Sequence, residues 1–89
     1  MPKLITIAER ITRARKLIQQ ARDYPVPLDG GRGDFSYIAQ IKDLLRQARE
    51  LIQFIPSQPS ATDENKAEVR GLYEDIEKAN KEILHPDVG

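Results

Sequence analysis

The stretch Ile38-Ala-Gln-Ile-Lys-Asp-Leu-Leu-Arg-Gln-Ala-Arg-Glu-Leu-Ile52 decides the fold. Its apolar positions, Ile38, Ile41, Leu45, Ala48, Leu51 and Ile52, recur three or four residues apart. That spacing gathers side chains on one face of an α-helix, which must then be buried. The same pattern is written before it, in Leu4, Ile7, Ile11, Ala14, Leu17 and Ile18. It is written again after it, in Val69, Leu72, Ile76, Ala79 and Ile83, with Glu82 where a leucine would stand. Three amphipathic helices in 89 residues bury their stripes against one another. The expected fold is all-α: a single domain over residues 1–89, folded as an antiparallel up-down-up three-helix bundle.

Local signals set the expected boundaries at about 4–23, 35–55 and 62–84, with a loop over 24–34 and a short tail over 85–89. Thr6 and Glu9 have capping-box spacing, so a later start of the first helix is the alternative. Tyr24-Pro25 ends that helix, because a proline disfavours helical geometry in the residue before it. Two prolines and three glycines make Pro25 to Asp34 the one long connection. Asp34 stands where an N-cap is wanted, Pro56 closes the second helix, and Thr62 or Ser60 caps the third. Asp63 and Glu64 then fall in its first turn, where acidic groups complement the helix dipole.

Ala14-Arg-Lys-Leu-Ile-Gln19 and Ala48-Arg-Glu-Leu-Ile-Gln53 lie 34 residues apart, which is the tetratricopeptide period. That architecture needs two helices per period, and here one of them would have to include Pro25, Pro27 and the glycines. The duplication reads instead as one packing demand met twice.

Length and composition narrow the function classes. A chain of 89 residues holds a modest core but not a core plus a deep active-site cavity. Without cysteine there is no disulfide framework and no thiolate metal site. Aromatics make up 6% of the chain and tryptophan is absent, so the core rests on Leu, Ile and Ala. No run reaches membrane-spanning length, and the first residues lack the apolar segment of a signal peptide, so a cytoplasmic location without membrane association is expected.

Several short motifs have a simpler reading. Arg32-Gly33-Asp34 spells an adhesion tripeptide, but Asp34 already has a capping task. Asp29-Gly-Gly-Arg-Gly-Asp34 follows a helix, and Phe35-Ser36 replaces the Lys-Ser/Thr of a phosphate loop. His85-Pro86-Asp87 coincides with the tripeptide of J-domain co-chaperones over three residues, too short a match to carry a function across. His85 is the lone imidazole, no Glu-x-x-His pair occurs, and the carboxylates are spaced as solvated helix faces. No catalytic residue, metal ligand, cofactor or small-molecule substrate is expected. Asn80 projects into the third apolar stripe, either as a buried amide that fixes register or as an edge residue that reaches water.

The net charge of zero conceals an asymmetry. Residues 1–23 carry six bases against two acids, and residues 56–89 carry eight acids against four bases. At about 100° per residue, Arg15 and Arg22 flank the clockwise side of the first stripe, and Lys42, Arg46 and Arg49 the clockwise side of the second. Glu68, Asp75 and Glu82 share one flank of the third helix. Opposite charges meet if the helices run clockwise when viewed from the start of helix one. Arg15 and Arg22 then face Glu68, Asp75 and Glu82, and the helix-two bases face Glu74 and Glu77. Arg10 lies inside its stripe and folds over the core edge toward an acid.

The second stripe spans roughly 140°, wider than a three-helix bundle needs, and Phe54 stands outside it. Either Leu44, Leu51 and Phe54 await a partner, or Val26 and Leu28 in the loop cover the surplus. The function expected is non-catalytic protein–protein interaction, as an adaptor, assembly factor or homodimer. The contact residues expected are Val26, Leu28, Arg32, Leu44, Leu51 and Phe54. The alternative is association with nucleic acid through Arg13, Lys16, Lys42, Arg46 and Arg49.

Overall fold

The computed structural model describes residues 6–28 and 34–84, and they form a three-helix bundle. Helix α1 spans Ile7–Asp23, α2 spans Phe35–Ile52 and α3 spans Asp63–Ala79. A 3-10 turn, Ile55–Ser57, follows α2, and a π turn, Asn80–Leu84, extends α3. The first five residues, Leu4 included, the loop over 29–33 and the tail from His85 lie outside the described residues.

Each helix starts where a side chain accepts one of the backbone N–H groups left without partners in a first turn. The Thr6 hydroxyl accepts from the Glu9 N–H at 3.1 Å, so α1 takes the later of its two expected starts. Asp34 Oδ1 accepts from the Tyr37 N–H at 3.0 Å. Thr62, rather than Ser60, caps α3, in a reciprocal box with Asn65. Helix α2 ends at Ile52, three residues short of the expected 55. Pro56 has no N–H to give to the Ile52 carbonyl, and the chain tightens into the 3-10 turn that contains it.

The core is wholly apolar among the described residues. Ile11, Ala14, Ile18 and Ala21 meet Tyr37, Ile41, Leu45, Ala48, Ile52 and Ile55, and Val69, Leu72, Ile76, Ala79 and Ile83 close the third side. Ile7, Leu17 and Leu51 of the expected stripes are only half-buried. Tyr37 is buried and its neighbour Ile38 is only half-buried, so the α2 stripe opens one residue earlier.

Cross-helix contacts fix how the helices run. Arg10 Nη1 donates to the Leu51 carbonyl at 3.5 Å, and the Tyr24 and Tyr37 rings lie 6.0 Å apart. The start of α1 is therefore beside the end of α2, and the end of α1 beside the start of α2. Arg10 reaches a carbonyl here rather than an acid, as its position near the end of α2 dictates. Arg15 pairs with Glu68 at 3.8 Å and Arg22 with Glu82 at 2.7 Å, so α1 and α3 advance together. These are the pairs expected of the clockwise winding.

Both α1–α2 contacts belong to one antiparallel register, which brings Ala14 level with Gln47 and within one residue of Ala48. The repeated hexapeptide thus sits on both sides of a helix crossing. Its alanines are fully buried at the centre, Ile18 and Ile52 enter the core, and Leu17 and Leu51 stay half-buried on the face away from α3. Small residues at a crossing let two helix backbones approach closely. The duplication is a local near-two-fold relation between α1 and α2.

Candidate functional site

The face that α1 and α2 share on the side away from α3 holds an open groove of about 520 Å³. Arg13, Lys16, Leu17 and Gln20 of α1 line it together with Gln47, Glu50 and Leu51 of α2. Arg13 and Gln47, Lys16 and Glu50, and Leu17 and Leu51 are corresponding positions of the repeat, so the groove inherits the near-two-fold relation of its helices. Leu17, Leu44 and Leu51 pack on the core from this side and are half-buried. The two rims differ in sign at corresponding places: Lys16 on α1 answers to Glu50 on α2.

The expected contact residues separate into groups. Leu44 and Leu51 belong to the groove face, and Leu17, which sequence reasoning assigned to the core, joins them. Phe54 is 65% exposed, at the end of α2 where α1 begins. Val26 and Leu28 are exposed at the opposite end, Leu28 completely, so the described part of the loop does not cover the α2 surplus. Phe35 is 89% exposed beside them. Sequence reasoning passed over Phe35, although the signal was available: as the first helical residue after Asp34 it sits on the flank beyond Lys42. Arg32 lies outside the described residues. Phe54 is separated from Val26 and Leu28 by the length of α2, more than about 25 Å at 1.5 Å per residue, while Leu44 lies midway along it.

The five cations of the alternative reading fall on two sides of α2. Arg13 and Lys16 line the α1–α2 groove, and Arg13 also approaches Glu9 at 3.9 Å. Lys42, Arg46 and Arg49 line a smaller groove of about 280 Å³ between α2 and α3, with Leu45, Ile76 and Asn80. Arg46 is held within its own helix by Asp43 and by Glu50 at 3.0 Å. Its guanidinium, with help from the Gln47 amide, holds the Asp43 carboxyl below its ordinary value, and the two carboxylates push the Arg46 pKa up. No ion pair joins the α2 bases to Glu74 or Glu77 among the described residues; the nearer acids one turn away on α2 capture Arg46 first. Across the bundle, hydrogen bonding and charge from Arg22 lower the Glu82 pKa. Asn80 is half-buried at the groove edge, the second of its two expected placements.

Among the described residues no three His, Cys, Asp or Glu side chains converge as a metal site. No helix among them is long and apolar enough to cross a membrane. No protein-family model, curated protein or solved structure matches this chain, so the reading of its surface rests on the geometry alone.

Proposed function

We propose that the protein is a non-catalytic helical interaction module that receives a partner helix along the α1–α2 face. The observation that carries this reading is the groove itself. Half-buried Leu17 and Leu51 line it between two helices, half-buried Leu44 lies on the same side of α2, polar side chains rim it, and exposed Phe54 stands at one end. A helix laid in such a groove reads apolar anchors at i, i+3, i+4 and i+7, the spacing that two flanking helices present. A fourth helix would complete around Leu17 and Leu51 the apolar contact that α3 completes on the other side. The nucleic-acid alternative requires one continuous positive surface. Its five cations line two separate grooves, and Arg46 is already engaged.

Affinity capture from native extract tests the reading when wild-type protein is compared with Leu51→Lys and Phe54→Lys, and with Lys81→Glu on the far side of α3 as control. A partner retained by the wild type and the control but lost from both groove-side variants supports it. Retention unaffected by both groove-side variants sinks it.

A further inference from the structure

Building on that reading of the α1–α2 face, we infer that its occupant is a second copy of this chain, forming a two-fold four-helix dimer. The argument comes from how charge is distributed along the groove. Arg13 and Lys16 of α1 and Glu50 of α2 line the groove; beyond it Glu9 lies on the same edge of α1, paired with Arg13, and Asp43 on the same edge of α2. The other flank of α1, with Arg15 and Arg22, is already spent on Glu68 and Glu82 of α3.

Two symmetric ways of stacking this face on itself exist, because a dimer of this kind uses the same patch twice. A two-fold axis perpendicular to the helices lays α1 on α1 and sets Arg13 and Lys16 against their own counterparts. A two-fold axis parallel to the helices lays α1 of one protomer on α2 of its partner. In that arrangement Arg13 meets the rim position of Glu50, and Lys16 approaches Asp43, each within about one helical turn in height. Leu17 of one protomer comes level with Leu44 of the other, which buries both half-exposed leucines. Opposite charges across an interface fix its register and reject the repulsive alternative. The ion pairs that Arg13 and Glu50 now make are exposed ones, with Glu9 and Arg46, and exposed pairs are cheap to exchange.

Sedimentation equilibrium of the full chain, from micromolar to millimolar concentration, is expected to show twice the monomer mass. Arg13→Glu and Glu50→Arg should each raise the dissociation constant about tenfold, and the two together should return it to within about threefold of the wild type. Leu51→Lys should yield a monomer that keeps its helical far-UV signature. A wild-type monomer throughout the range overturns the inference, while a partner captured through the groove would still uphold the interaction reading. A dimer unmoved by both single charge reversals also overturns it, because the pairing would then lie on another face.

Discussion

Ala14 and Ala48 are fully buried at nearly the same height on α1 and α2, where a small side chain suits two packed helices. A larger side chain at either position has nowhere to go in a filled interior. Ala48→Leu is expected to cost about 1–3 kcal/mol by overpacking, read as a shift of the urea midpoint. At Ile52, fully buried, truncation to alanine acts in the opposite sense by leaving a void, and about 2–5 kcal/mol should be lost. Glu82 gives a residue-scale pH effect. Its folded-state pKa lies below the ordinary carboxyl value because Arg22 holds it ionised. The contribution is therefore present above the unfolded-state value and lost as pH falls through the folded one. Glu82→Gln should flatten the acidic limb of a plot of melting temperature against pH and leave the limb above neutrality unchanged. A profile identical to that of the wild type would show that the pair contributes nothing. Which individual residues enter the core was only partly legible in the sequence. Angular position on a helix says which way a side chain points, but not how near the next helix comes. Leu17 and Leu51 fall on the expected stripes and still remain half-buried, because each lies about 60° round its helix from the fully buried alanine, at the stripe's edge.

The helices themselves were legible because spacing, caps and prolines agreed. Thr6, Asp34 and Thr62 each stand one residue before a helix, and each accepts a backbone N–H of its first turn. Thr62→Ala should cost about 1 kcal/mol, measured by thermal or denaturant unfolding, since it undoes both halves of the box with Asn65. Gly71 is the weak point of α3. It is exposed in the middle of the helix, and a Cβ placed there meets nothing within 4 Å. Gly71→Ala should add about 0.5–1 kcal/mol, mostly by restricting the unfolded chain. The end of α2 was less legible, because Pro56 forbids one hydrogen bond but leaves the chain a choice between stopping and tightening. The π turn at Asn80–Leu84 had no signature in the spacing, since Ile83 falls on the buried face under α-helical geometry as well.

For the whole molecule, hydrophobic pattern alone left the winding open, and charge placement on the helix flanks pointed to the one whose Arg15–Glu68 and Arg22–Glu82 pairs are present. Either winding of three apolar stripes fills a core, but only one sets Arg15 and Arg22 beside Glu68 and Glu82. The site was harder to foresee, because a groove belongs to two helices at once and no single stripe contains it. Since all three helices share one core, unfolding is expected to be a single event: helix loss by circular dichroism and the change in tyrosine emission should have coincident midpoints. Tyr24 and Tyr37, in ring contact across α1 and α2, make the second probe sensitive to the packing of those helices. Separate midpoints would mean that one helix detaches first. The exposed aromatics bear on how crowded this small protein's surroundings can become. Phe35 is exposed at the start of α2 and Val26 and Leu28 in the chain that precedes it, while Phe54 is exposed just past the other tip of α2. A short peptide that shields one tip leaves the other wet, so the two ends can be blocked independently, and a body long enough to touch both must lie lengthwise along α2.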